Sequence, residues 1–208
     1  MMFTRNSAIN VFIIFVFVAA VPSPALSDSV RIYGGSFDLP IPSPDDPDSE
    51  YGRGWMDDAI IEIPDHFTVC DIDVRISVTH TEVFDLQIFL QSPTNQRLCL
   101  NMYNPYDEYF AGENYFQTIF DDEAAVPIGD GAPPFTGLFQ PRSPNRLDVF
   151  DGLDTFGSWH LQIYDAYYYH TGNLDSFELI VTVPEPASAF LLTVGVCLIR
   201  LRRRRPAF

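Results

Sequence analysis

The chain has 208 residues, which is room for one domain with a core of its own. Its formal net charge of −16 understates the acidity: lysine is absent, Arg5 and the five arginines between Arg200 and Arg205 lie in the terminal segments, and residues 28–183 carry 27 Asp and Glu against 6 Arg, a net −21. A body this acidic repels nucleic acid and anionic lipid, which argues against a nucleic-acid-binding role and favours cations, basic proteins or neutral polymers as partners.

In chain order, Arg5 precedes the apolar run Ala8 to Val21, and Ala25-Leu26-Ser27 offers the small residues a signal peptidase reads. Residues 1–27 therefore read as a signal peptide rather than a retained anchor, since the fourteen-residue apolar run reaches only ~21 Å as a helix, short of a ~30 Å bilayer core. Residues 28–54 place Pro40, Pro42, Pro44 and Pro47 among Asp45, Asp46, Asp48 and Glu50. This predicts an acidic, solvated lead-in with at most a short strand at Val30 to Tyr33. The folded domain is expected over 55–183. Its longest period-2 run puts Ile72, Val74, Ile76, Val78 and His80 on one face of a strand, with Asp71, Asp73, Arg75, Ser77 and Thr79 on the other. Leu86, Ile88 and Leu90 mark a second strand, Ser92-Pro93-Thr94-Asn95 a turn, and Arg97 to Leu100 the returning arm of a hairpin. Trp159, Leu161 and Ile163 alternate with His160, Gln162 and Tyr164, and Phe177, Leu179, Val181 and Val183 alternate with Glu178, Ile180 and Thr182. These two read as a closing hairpin around a loop ending in Thr171-Gly172-Asn173, which tolerates positive φ. With no convincing helical period before residue 187, the pattern predicts an all-β, single-domain antiparallel sandwich. Trp159 belongs to its core and Trp55 to its edge.

Several stretches resemble the P domain (Homo B) that follows the subtilisin-like catalytic domain in kexin- and furin-type proprotein convertases. They are Val74-Arg75-Ile76-Ser77-Val78-Thr79-His80, Asp85-Leu86-Gln87-Ile88-Phe89-Leu90-Gln91-Ser92-Pro93, Thr118-Ile119-Phe120-Asp121-Asp122-Glu123-Ala124, Pro134-Phe135-Thr136-Gly137, Gly157-Ser158-Trp159 and Gly172-Asn173-Leu174. The resemblance covers roughly Trp55 to Val183 and implies a β-sandwich of jelly-roll type. Where the family usually has glycine before Asp-Leu this chain has Phe84, and where the turn after Ser-Pro usually has glycine it has Asn95. Asn suits a left-handed turn, whereas Phe84 requires a different local path if the family backbone has positive φ there.

Nothing matches the convertase protease motifs, and no serine stands in a nucleophile-like context beside His66, His80, His160 or His170. No two His or Cys residues have the short spacing of a zinc clip, and His80, on the core-facing side, reads as a satisfied buried histidine. Carboxylates are the better site candidates. Asp121, Asp122 and Glu123 lie in the stretch matching the family's acidic segment, and Asp85 and Asp165 stand near strand ends where chain reversals can gather them. Bacterial members of the family often carry calcium, so these five residues are the candidate Ca2+ ligands, the alternative being an ordinary acidic surface. Tyr106 and Tyr109 in one aromatic loop, and Tyr167 and Tyr168 in another, are candidates for stacking on sugar rings or anchoring a protein partner, against simple loop packing. Cys70 and Cys99 share a disulfide-permissive compartment, but their parities differ relative to the core, which leaves a bridge open.

At the C-terminus, Val183-Pro184-Glu185-Pro186 leads into the apolar run Ala187 to Ile199 and then Arg200 and Arg202 to Arg205. Residues 184–208 resemble the PEP-CTERM sorting signal of Gram-negative bacteria, which an exosortase recognises and cuts near Pro184, Glu185 and Pro186. The resemblance implies transient inner-membrane anchoring through residues 187–201, with the arginines staying cytoplasmic, and then the cell surface or extracellular matrix. The leading expectation is a non-catalytic exported module that meets an extracellular polysaccharide or a surface protein. Alternatives are a carboxylate-based hydrolase acting on matrix polysaccharide and an accessory module of a subtilisin-like protease.

Overall fold

Ten strands, in two sheets that face each other across one apolar core, make up the computed structural model, which describes residues 28–102, 112–142 and 144–184. They are β1 (Asp28–Ile41), β2 (Gly54–Trp55), β3 (Ala59–Ile63), β4 (Asp71–His80), β5 (Leu86–Gln91), β6 (Arg97–Asn101), β7 (Tyr115–Phe120), β8 (Phe135–Phe139), β9 (Gly157–Asp165) and β10 (Gly172–Pro184). The first sheet has the order β1-β10-β4-β7-β8; the second has β2-β9-β5-β6, with β3 also paired to β9. The terminal segments, residues 103–111 and residue 143, and with them Tyr106, Tyr109, Glu185 and Pro186, lie outside the described residues.

The alternation in β4 has the physical meaning expected of it. Ile72, Val74, Ile76, Val78 and His80 are all buried, and β10 and β7 satisfy the backbone of this strand from both sides. Opposite them, Leu86, Ile88 and Leu90 of β5 and Trp159, Leu161 and Ile163 of β9 point inward from the second sheet. Each strand contributes every second residue to a shared interior, so the two sheets must stack face to face. The β5–β6 hairpin forms as expected, and Asn95 in its turn has φ 64°, the left-handed conformation that asparagine tolerates.

Three expectations need correction, and one question left open is answered. First, residues 28–41 are not a solvated lead-in: β1 pairs with β10 from Asp28↔Pro184 to Ile41↔Gly172, interrupted by one register shift between Ser36 and Leu39. As an edge strand, β1 needs only one hydrogen-bonded neighbour, which is why a polar, proline-containing sequence can occupy it. Gly34 has φ 116°, and a Cβ there would stand 2.3 Å from the Phe177 carbonyl oxygen. Second, β9 and β10 are not a hairpin. They belong to opposite sheets, and residues 166–171 cross from one to the other. The left-handed residue in that crossing is Tyr169, at φ 75°. Third, β7 and β8 pair in parallel, the long 121–134 connection supplying the crossover this requires, in an otherwise antiparallel fold. The bridge left open is not formed: Cys70 and Cys99 are free thiols. Cys70 bonds through its backbone to Thr182 at the first sheet, while Cys99 sits on β6 of the second.

Candidate functional site

The five carboxylates expected to share one cation do not come together. Asp121, Asp122 and Glu123 follow β7 and lie against Asp71 and Asp73 at the start of β4, whereas Asp165 meets His80 at its end and Asp85 meets His170 nearby. At ~3.3 Å per strand residue, the run from Asp73 to His80 separates the two groups by roughly 23 Å. Among the described residues, no group of three or more His, Cys, Asp or Glu side chains is arranged to hold a metal ion. The physical reason is strand direction. β7 is antiparallel to β4, so its C-terminal turn lies beside the start of β4, while β5 begins and β9 ends at the opposite rim.

At that opposite rim, the register of the strands builds a paired histidine–aspartate network. Leu86↔Asp165 in the β5–β9 pair and Gly172↔His80 in the β10–β4 pair align four strand ends. His80, fully buried, places Nε2 2.9 Å from Asp165 Oδ2, and its Nδ1 lies 2.8 Å from the Glu82 carbonyl oxygen. Asp165 Oδ1 accepts the Tyr167 N–H at 3.1 Å. Asp85, in the 3-10 turn Val83–Asp85, meets His170 Nδ1 at 2.6 Å. Burial pushes the Asp85 carboxyl above the usual range, and nearby Asp165 adds to this while the His170 bond opposes it. Gly172 is needed here for approach rather than for positive φ, because a Cβ would lie 2.3 Å from the Thr79 carbonyl oxygen and 2.4 Å from the His80 ring. Phe84 lies in that same 3-10 turn, and its ring packs edge-on against Phe135 at 6.1 Å, so the departure from glycine leaves Asp85 in place. The remaining histidines are also spoken for: His66 meets Asp154 at 2.8 Å and His160 meets Asp58 at 2.9 Å. Among the described residues, no serine or threonine hydroxyl bonds to a histidine ring, so these pairs lack a nucleophile.

The acidic end is electrostatically loaded. Asp73 is pushed up to about 7, first by burial and then by Asp71, Asp121, Glu123 and Asp122. Asp122, almost fully buried, accepts the Asp148 N–H at 2.9 Å and lies 3.6 Å from Arg146, while one oxygen each of Asp73 and Asp122 has no partner. A carboxyl whose folded pKa exceeds its unfolded value binds its proton more tightly when folded. Its contribution to stability is complete below the unfolded value and is lost as pH rises through about 7. Asp73→Asn, which abolishes this loss, is expected to melt above the parent at about pH 8 and together with it at about pH 4, as measured by calorimetry.

A third feature was not legible as a site in the sequence. The outer face of the second sheet carries Trp55 of β2, Tyr164 of β9 and Phe89 of β5, with ring centroids 4.8 Å (Trp55–Tyr164) and 6.1 Å (Trp55–Phe89) apart. Arg97 lies over Phe89 at 3.8 Å and over Trp55 at 5.2 Å. Arg53 donates from Nε to the Tyr164 hydroxyl at 2.8 Å and from its terminal nitrogen to Tyr168 at 3.3 Å. Of the tyrosines singled out from the sequence, Tyr168 thus stands at one end of this face, and Tyr167 packs beside it at 6.0 Å. The Pro-rich acidic segment holds the face in place, since Asp46 Oδ2 accepts the Trp55 N–H at 3.0 Å. The available signal was parity: Trp55, Phe89 and Tyr164 occupy outward positions where a solvated strand usually carries polar side chains.

Comparison with known proteins places residues 69–181 under the family model described as the proprotein convertase P-domain. Among solved structures, the chain is similar to the Aeromonas sobria serine protease in complex with its chaperone, at 19% identity and a TM-score of 0.39, covering 62% of this chain and 23% of that one. It is likewise similar to the Aeromonas sobria serine protease on its own, at 18% identity and a TM-score of 0.38, covering 61% of this chain. The chain spans 23% of the length of each of these proteases. No curated protein matches it.

Proposed function

We propose that this chain, which belongs to the proprotein convertase P-domain family, is a non-catalytic accessory module that acts by binding a separate exported protein of subtilisin type. The observation that carries the reading is the family match itself, which runs from Val69 to Val181 and so takes in most of both sheets. The pairing of each histidine with an aspartate supports it, because His80–Asp165 and His170–Asp85 are spent on holding strand ends together and His66 and His160 are engaged by Asp154 and Asp58. The signal-like residues 1–27 and the Pro184-Glu185-Pro186 tail support a route in which the module leaves the cytoplasm, is anchored briefly and is released by an exosortase to the surface or matrix.

The reading is tested by co-expression with the subtilisin-like proteases of the same genome. A stable complex on size-exclusion chromatography, a longer thermal half-life for the protease, and an intact mass ending before Ala187 are expected. Turnover of peptide or polysaccharide by the purified chain alone, abolished by Asp85→Asn or Asp121→Asn, would replace it with the hydrolase alternative.

A further inference from the structure

The six arginines of the acidic body are not distributed as its charge would dictate. Arg75 pairs with Glu178, and Arg146 lies between Asp122 and Asp148. Arg31, on β1 of the first sheet, stacks on Phe67 at 4.2 Å, and Arg53 and Arg97 likewise have no carboxylate within ion-pair distance among the described residues, although residues 28–183 hold 27 Asp and Glu. Both lie on the outer face of the second sheet, one at each side of Trp55 and Tyr164, and both are braced by aromatic rings. Arg97, stacked 3.8 Å above Phe89, keeps its in-plane donors directed outward and available to an incoming anion, while Arg53, fixed through Nε and one terminal nitrogen by the Tyr164 and Tyr168 hydroxyls, keeps the donors of its other terminal nitrogen.

We propose that this face binds a glycan chain carrying acidic groups, its sugar rings lying on Trp55 and Tyr164 and its carboxylates or sulfates meeting Arg53 and Arg97. Trp55 is 41% exposed, so its ring offers a hydrophobic plane to the C–H face of a sugar without any rearrangement of the core. Around it, Gln87, Gln91 and Gln162 occupy outward, half-buried positions on β5 and β9, and their amides both donate to and accept from hydroxyls. The face also leads into a cleft at each end. One, of about 280 Å³, is lined by Asp48, Tyr51, Arg53 and Tyr168; the other, of about 470 Å³, includes Gln91, Ser158, His160 and Phe156. Between the clefts, β9 from Ser158 to Tyr164 spans roughly 20 Å at ~3.3 Å per residue, a length suited to several sugar rings in a row.

A protein partner fits this geometry less well. Interface hot spots sit in desolvated pockets, whereas here the aromatics, tilted at 42–47° to one another, stand on an open sheet face among amides. The net −21 opposes the approach of any polyanion, but that field is screened beyond ~8 Å at physiological ionic strength, so the two guanidinium groups dominate at contact. Of the carboxylates on the same side, Asp58 is held by His160 Nδ1 at 2.9 Å and Gln162 Nε2 at 3.0 Å, Asp46 accepts the Trp55 and Asp48 N–H groups, and Asp48 lines the cleft beside Arg53.

Affinity electrophoresis of the full chain in gels containing polygalacturonate, dextran sulfate, dextran or poly-glutamate tests the proposal. Retardation by polygalacturonate, dextran sulfate or both is expected, and the pattern identifies the preferred anion. Trp55→Ala and Arg97→Gln should each weaken it by at least about tenfold. Both side chains are on the surface, so unchanged melting curves will separate lost binding from lost fold. Equal retardation by plain dextran, or no retardation by either anionic glycan, would overturn the proposal. So would equal retardation by poly-glutamate with the same loss in both variants, which would point to an acidic protein instead. None of these outcomes bears on the protease complex, since that test reads a different partner.

Discussion

Trp159→Ala is expected to lower the free energy of unfolding by about 3–5 kcal/mol. The indole is fully buried on the inner face of β9 and meets Phe150 edge-to-face, with centroids 5.4 Å apart at 73°. Truncation removes that contact and opens a cavity between the sheets, which the strands on either side cannot close without shifting their register. It also strands a polar group, because Trp159 Nε1 donates to the Thr155 carbonyl oxygen at 3.0 Å, and Thr155 is itself buried. Trp55→Ala is the internal comparison. Its ring is exposed, and the cost should stay within about 1 kcal/mol. Urea melts of the two variants decide the matter: equal losses would mean that the two tryptophans do not differ as core and surface residues.

His80→Ala should cost a similar amount, about 3–5 kcal/mol, for an electrostatic reason. It leaves the Asp165 carboxylate buried, with the Tyr167 N–H at 3.1 Å but without the imidazole that stood 2.9 Å from its other oxygen. A buried charge without its partner is worse than no charge at all. The double variant His80→Ala, Asp165→Ala should therefore be more stable than the sum of the two single losses predicts, by about 1 kcal/mol or more, in denaturant melts at neutral pH. Strict additivity would show that the two side chains act independently.

Which residues face inward was legible strand by strand, because in an extended chain side-chain direction is a local property with period two. Ile72 to His80, Leu86 to Leu90, Trp159 to Ile163 and Phe177 to Val183 all bury the faces that alternation assigns to the core. Which strand lies beside which was not legible. Trp159 to Ile163 and Phe177 to Val183 are adjacent in sequence and both face the interior, yet they enclose it from opposite sheets. Nor does an edge strand advertise itself. β1 alternates between exposed and half-buried positions and carries Pro40, a composition that by itself resembles a solvated tail.

The carboxylates followed the same division. Their acidity and clustering along the chain were evident, but Asp121 and Asp165 are placed by strands that end at opposite rims, so only the fold could show that they never share an ion. The sequence by itself determined an all-β sandwich, its inward-facing residues, its excess of negative charge and its resemblance to the P-domain family. The tertiary structure alone decided the strand order, the two separate polar ends, and the gathering of Trp55, Phe89, Tyr164, Arg53 and Arg97 on one face. The reason is that burial is signalled by each residue and its near neighbours, whereas side chains far apart in sequence become neighbours only through long-range strand pairing.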